Sequence, residues 1–316
     1  MNPLIVILGP TASGKTRLAA RVAAKINGAI LSVDSRQIYR KMDIGTGKDL
    51  DEYQLDGKAV PYHLIDIVDA GEKYNVSRFK QDFQNAYCKI VDQGQVPIAC
   101  GGTGFYFYAL LKSQQYTEIP VDEKLRASLE AKTNDELRLD FIQLETSYLD
   151  LADTSTRKRL IRAIEISTYL TKHPETEKQI SDVPPHQHAP IIFGLNPSSE
   201  IRRERISRRL SYRLNNGMIQ EVEALLESGL EPEQLIYYGL EYKYITEYLT
   251  GVLTYEQMAK KLETEIHRFS KRQMTFFRKM EKDGIIINWL ELSNTEEENI
   301  QQIIQAYNLF SRTNQN

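Results

Sequence analysis

The stretch Gly9-Pro-Thr-Ala-Ser-Gly14-Lys15-Thr16 decides the fold of this chain. It fits the spacing GxxxxGK[ST], in which glycines let backbone N–H groups converge on an anion at the start of a helix. Lys15 adds a point charge, and Thr16 offers a hydroxyl to Mg2+. The flanking residues agree. Leu4 to Leu8 is a short, apolar, β-branched run that reads as a buried parallel strand. Leu18, Ala19, Val22, Ala23 and Ile26 then recur at helical spacing, and Asn27-Gly28 supplies a left-handed stop. Strand, glycine turn and helix open an α/β fold. The motif implies polyphosphate binding by Gly9, Pro10, Thr11, Ala12, Ser13, Gly14, Lys15 and Thr16, and leaves the reaction open.

Further strand candidates are Ala29 to Val33, His63 to Val68 and Val96 to Cys100, with a helix expected over Phe79 to Val91. This alternation predicts an α/β fold with a P-loop NTPase-like parallel sheet as its core. From about Gln115 to Pro185 the pattern becomes charged and helical, without convincing strands, and it ends in the loop-like stretch from Asp182 to Pro190. The expected division is a core of residues 1–114 plus 188–316 and an inserted small helical domain of residues 115–187. Ile191 to Leu195 looks like one more core strand. Two long helical stretches follow, Glu200 to Ser228 and Tyr255 to Lys282, and Thr254 with Gln257 suits a capping box that starts the second. The tail after Ser293 looks weakly ordered.

Composition limits the function classes. The 316 residues suit about two domains of ordinary globular make-up, with 41% hydrophobic and 26% charged residues. Lys plus Arg number 40 against 43 Asp plus Glu, a net charge of −3, so the whole molecule is not a polycation and any basic site must be local. The two cysteines, Cys88 and Cys100, form neither a CxxC pair nor a disulfide framework, which suits a reducing cytoplasm. The apolar run near the start is too short to span a membrane and lacks the cationic flank of a signal peptide.

Asp34 ends the strand Ala29 to Val33, at the sheet edge where ligands bind in open parallel sheets. A carboxylate near phosphates is a candidate general base or magnesium-water partner, and the alternative is a helix N-cap. Ser35, Arg36 and Gln37 follow at the same edge and could hydrogen-bond a base. Gly101-Gly-Thr-Gly104 after Val96 to Cys100 should emerge there too. Thr103 could bond a leaving phosphate oxygen, or the loop could simply turn the chain. Between Arg202 and Arg213, six arginines accompany one glutamate. Ile206, Leu210, Leu214, Met218 and Val222 form an apolar stripe, with Arg205, Arg209 and Arg213 in a neighbouring row. Arg157 to Arg159 with Arg162, and Arg268 with Lys271, Arg272, Arg278 and Lys279, make two further basic clusters. Three such clusters in an acidic chain suggest a polyanion larger than a nucleotide. The absence of an [NT]KxD guanine-recognition sequence argues against a GTPase and leaves a small-molecule or nucleotide kinase as the alternative.

Taken together, GPTASGKT (9–16), VDSRQIYRKMDIGTGK (33–48), PYHLIDI (61–67), GGTGFY (101–106), the Arg-rich helix and KRQMTFFR (271–278) resemble the tRNA dimethylallyltransferases over almost the whole chain. The resemblance implies transfer of a dimethylallyl group from dimethylallyl diphosphate to N6 of the adenosine just 3′ of the anticodon. It implies that the phosphate loop holds that donor, with Mg2+ on Thr16, Asp34 as base, and Thr103 with Arg205 or Arg209 on the diphosphate. It implies tRNA contacts at Asp34, Ser35, Arg36, Gln37 and Thr103, at Lys158, Arg159, Leu160, Ile161 and Arg162, and at Lys271, Arg272, Gln273, Thr275 and Arg278. The helical insert would clasp the anticodon stem. Departures from the family pattern are Ala152 to Thr156, Tyr238 to Lys243 and Thr275-Phe-Phe-Arg278, all on RNA-facing segments. Nothing resembles the zinc-finger extension of eukaryotic members, so a bacterial-type enzyme is expected. A cytoplasmic location and a monomeric state are expected as well.

Overall fold

The computed structural model describes residues 3–55, 57–112, 116, 119–149, 151–176, 190–291 and 293–313. The chain divides into two compact units, Met1–Leu111 with His188–Asn316, and Lys112–Gln187. The larger unit is built on a six-stranded sheet in the order β5-β2-β6-β1-β7-β8, from β1 (Ile5–Leu8), β2 (Gly28–Val33), β5 (Tyr62–His63), β6 (Val96–Gly101), β7 (Ile191–Gly194) and β8 (Asn288–Trp289). Every pairing in it is parallel. A separate two-stranded hairpin joins β3 (Gln54–Leu55) to β4 (Lys58–Ala59). Alternation along β1 serves two layers at once. Val6 and Leu8 pack on one side of the sheet, and Ile5 and Ile7 on the other.

Helix α1 (Lys15–Lys25) follows the glycine loop and buries Leu18, Ala19, Val22 and Ala23. Asn27 takes the left-handed φ of 53° that stops it, and Gly28 already belongs to β2. Helices α2 (Val76–Asp92) and α3 (Gly104–Leu111) flank β6 in sequence. The expected strand over His63 to Val68 shrinks to two residues. Leu64 and Asp66 adopt left-handed φ of 65° and 56°, which no strand accommodates, and Val68 returns only as an isolated bridge to Tyr39. Lys48 explains the turn: its buried ammonium donates to the Tyr39 carbonyl and to the carboxylates of Asp43 and Asp66.

The smaller unit contains α4 (Glu123–Glu130), α5 (Asn134–Ile142) and α6 (Arg157–Lys172), packed around Leu129, Leu137, Phe141, Leu160, Ile161 and Ile164. The buried Glu165 carboxylate is held by Arg126 at 2.7 Å and Arg162 at 3.4 Å. The loop read over Asp182 to Pro190 lies, up to residue 189, outside the described residues.

The stretch from Glu200 to Ser228 is two helices, α7 (Ser199–Asn215) and α8 (Met218–Glu227), because Gly217 turns at a φ of 99° between them. Two short helices unread in the sequence follow, α9 (Pro232–Tyr237) and α10 (Leu240–Leu249). Helix α11 spans Tyr255–Lys282 and starts in a capping box between Thr254 and Gln257. Beyond Ser293 the described residues form a helix rather than a loose tail. Helix α12 (Glu296–Thr313) buries Ile300 and Ile303 and ties to α1 through pairs of Glu296 with Arg17 and Arg21 and of Glu297 with Lys25. Its many polar residues conceal a narrow apolar stripe, which is why composition suggested a loose tail.

Candidate active site

The stretch Gly9 to Thr16 runs from the carboxyl end of the central strand β1 into the first turn of α1. Ala12 and Gly14 take left-handed φ of 60° and 86°, the kind of backbone kink from which anion-binding nests are built. A side chain on Gly9 would meet the Ser13 hydroxyl at 2.7 Å and the Leu195 carbonyl at 2.9 Å, so glycine is required there. The Ser13 hydroxyl is buried without a hydrogen-bond partner. An orphaned donor inside this loop fits an anionic ligand. Lys15 sits at the start of α1, and desolvation lowers its pKa from 10.5, with Cys100 and Asp34 pulling it back up. Burial conversely pushes the Cys100 thiol up to about 12, leaving it an inert neighbour. Thr16 is half-buried in the first helical turn.

Two further segments reach the same edge. Asp34 follows β2 directly and accepts the Arg36 backbone N–H at 2.9 Å, an Asx-type turn rather than a helix cap. Thr103 follows β6, and its hydroxyl oxygen accepts the Ser35 N–H at 3.2 Å. The close approach needs Gly101, where a Cβ would stand 2.1 Å from the Val33 carbonyl oxygen. Ser35 and Arg36 are part-exposed, and Arg36 lies over the ring of the exposed Tyr237 at 5.5 Å. The Gln37 amide is committed within the fold, between Ser32 at 2.8 Å and the Gly47 carbonyl at 2.9 Å.

The arginine ridge separates into roles. Arg209 donates to the Thr11 hydroxyl, and burial lowers its pKa to about 10. Arg213 is buried and pairs with Asp49 at 2.6 Å. Arg205 stays exposed and lines, with Arg209, Ala12, Ser13 and Gly14, a cavity of about 810 Å³ beside the loop. Of the two ridge arginines expected at the diphosphate, Arg209 is the one that touches the loop.

Three of the residues expected at RNA lie in buried positions. Leu160 and Ile161 are buried in the core of the smaller unit, on the apolar face of α6, and are packing residues. Gln273 is 7% exposed and faces inward, whereas Lys271, Arg272, Thr275 and Arg278 stand exposed on the opposite face of α11. Lys158 and Arg159 are exposed, with Arg159 paired to Asp153 at 2.8 Å. Arg162 is engaged inside its own unit, by Glu165 and by the carbonyls of Ile119 and Pro120.

Sequence reading missed Glu221 and Glu241. The Glu221 carboxylate accepts the N–H groups of Asp43, Ile44 and Gly45 at 2.7, 2.7 and 2.9 Å and the Tyr242 hydroxyl at 2.7 Å, fixing the loop that carries Lys48. No local motif announces it. Glu241 lines a small cavity with Arg209 and Arg213, and burial raises its pKa despite those cations.

A family model described as IPP transferase matches residues 37–280, and one described as isopentenyl transferase matches residues 2–62. The chain is 48% identical over 307 residues to tRNA dimethylallyltransferase 2 of Bacteroides fragilis, covering 97% of this chain and 98% of the relative. It is 50% identical over 304 residues to tRNA dimethylallyltransferase 2 of Phocaeicola vulgatus, covering 95% and 96%. The crystal structure of the tRNA isopentenylpyrophosphate transferase of Bacillus halodurans superposes with a TM-score of 0.68 at 28% identity, over 98% of this chain and 96% of that one. A eukaryotic dimethylallyltransferase acting on tRNA shares the fold, with a TM-score of 0.80 at 24% identity over 99% and 80% of the two chains. The two matching family models and nearly full-length likeness to these enzymes lead to one assignment: the chain belongs to the IPP transferase family, the tRNA dimethylallyltransferases.

Proposed function

We propose that this protein transfers the dimethylallyl group of dimethylallyl diphosphate to N6 of the adenosine just 3′ of the anticodon (tRNA position 37) in tRNAs reading UNN codons, giving N6-isopentenyladenosine. The observation that carries the reading is that the loop of Lys15, the Asp34 carboxylate and the Thr103 hydroxyl meet at one sheet edge, Asp34 and Thr103 being linked through Ser35. The relatives' activity makes this reading preferable to a kinase.

An exocyclic adenine amine is a weak nucleophile because its lone pair is delocalised into the ring. The reaction therefore depends on the leaving group. As N6 bonds to the allylic carbon, that carbon's bond to oxygen breaks and the electron pair leaves on the diphosphate. Lys15, the loop amides, Arg209 and the Thr103 hydroxyl stabilise the charge that develops there. Asp34 takes the proton from N6. The Thr16 hydroxyl would hold Mg2+, which would supply charge neutralisation to the leaving group. The target base must leave the anticodon-loop stack to reach Asp34. Exposed Lys158, Lys271, Arg272 and Arg278 would grip the phosphates meanwhile, with Thr275 beside them.

We read the working unit as a monomer in the cytoplasm, where tRNA is. Among the described residues no helix is long and apolar enough to cross a membrane. Incubation with labelled dimethylallyl diphosphate, Mg2+ and a UNN-reading tRNA is expected to leave label in a single nucleoside. Unlabelled RNA together with ATP-dependent phosphorylation of a small molecule would overturn the reading in favour of a kinase.

A further inference from the structure

We propose that Gln273 is a positioning residue of the diphosphate cradle, clamping the two glycine loops together, and not a contact to RNA. The inference rests on the donor-binding reading of the loop given above. Its amide oxygen accepts the Thr11 backbone N–H at 2.8 Å, and its amide nitrogen donates to the Gly102 carbonyl at 2.9 Å. One side chain thus ties the first turn of the phosphate loop to the loop that carries Thr103.

The fit leaves no slack. A Cβ on Gly102 would stand 2.6 Å from the Gln273 amide nitrogen, 3.3 Å from the Gly9 carbonyl and 3.5 Å from the Lys15 ammonium. Gly102 therefore lies between the clamp and the phosphate-binding lysine, and Gln273 sets the distance between the loops. Thr11 is held from two helices at once, its backbone by Gln273 of α11 and its hydroxyl by Arg209 of α7. With its N–H committed, Thr11 is an anchor of the cradle, and the anion is left to the amides further along the loop.

Glutamine is the residue type this requires. The position must accept from one backbone and donate to another, which a carboxylate or a hydrocarbon of similar size does only half or not at all. Gln273 also falls on the buried seam of α11, with Ile266, Ser270, Phe277 and Met280, while Lys271 and Arg278 point outward. The same helix thus carries the cradle clamp on one face and the cations for RNA on the other.

Titration with inorganic pyrophosphate, followed by calorimetry, separates the two roles. Gln273→Met is expected to bind pyrophosphate about tenfold or more weakly, since two buried backbone groups lose their partner. Its affinity for an anticodon stem-loop should stay within about twofold of the parent. Lys271→Ala should give the opposite pattern. Gln273→Glu, which keeps the acceptor for Thr11 but sets an oxygen against the Gly102 carbonyl, should raise KM for dimethylallyl diphosphate and leave KM for tRNA unchanged. Unaltered pyrophosphate affinity in both variants, or loss of stem-loop affinity in step with Lys271→Ala, would overturn the clamp. Failure of the parent to bind pyrophosphate would overturn the cradle reading and the clamp with it, whereas binding without prenyl transfer would sink only the proposed reaction.

Discussion

The Thr103 hydroxyl oxygen accepts the backbone N–H of Ser35 at 3.2 Å, one residue beyond the carboxylate that would take the proton. With the oxygen so engaged, the hydroxyl hydrogen is free to donate to a diphosphate oxygen. Thr103→Val keeps the shape and removes both bonds, and should lower kcat/KM by about 10- to 100-fold. Thr103→Ser should retain most of it. Equal losses in both variants, measured under initial-rate conditions, would mean that the methyl group and not the hydroxyl matters.

Asp34 allows a cleaner test than alanine. Asp34→Asn preserves an acceptor for the Arg36 N–H, and hence the turn, while removing the basic oxygen. Turnover should fall about 10²- to 10⁴-fold with tRNA affinity nearly unchanged. Parent-like rates would remove Asp34 from the role of base.

Donor binding should be coupled to a proton. Desolvation holds the Lys15 pKa below 10.5 in the free protein, and a diphosphate beside it favours the charged form. In the alkaline range below 10.5 the empty site has lost part of its proton, and binding restores it. Affinity should therefore fall as pH rises through that window, with net proton uptake. Arg209, lowered to about 10 by burial, adds to the same trend. Calorimetry in two buffers of different ionisation enthalpy reads the uptake directly, and proton release would contradict the sign.

The basic face should show in the salt dependence. Each phosphate contact contributes about 0.7 to 0.9 to the slope of log K against log salt, so Arg278→Ala or Lys158→Ala should flatten tRNA binding by about one such step. Leu160→Ala should leave that slope alone and destabilise the smaller unit by about 2 to 5 kcal/mol. A changed slope with Leu160→Ala would return that residue to the RNA surface.

Much of this was legible in the chain. The phosphate loop, β1, α1 and the capping box at Thr254 are local patterns, set by residues a few positions apart, and the structure has them where spacing puts them. Asp34 and Thr103 could be placed at one edge because parallel strands present all their carboxyl ends together. The illegible parts depend on long-range partners. Residues 63–68 have strand-like composition, yet the buried Lys48 bends them into a turn. Glu221 caps a loop far away in sequence, and nothing beside it hints at that. The inward Gln273 shares a helical seam with Ile266, Phe277 and Met280, a spacing visible in the sequence, whereas the family resemblance groups it with its exposed neighbours Lys271, Arg272, Thr275 and Arg278.

The central strand carries a consequence for how the molecule is made. β1 pairs on one side with β6 and on the other with β7, which begins only at Ile191. A nascent chain leaving the ribosome therefore holds an incomplete, strongly apolar strand edge until the residues from Ile191 onward emerge, open to mispairing over that interval. Translation speed and chaperone occupancy over that interval should govern the yield of folded enzyme more than its final stability does.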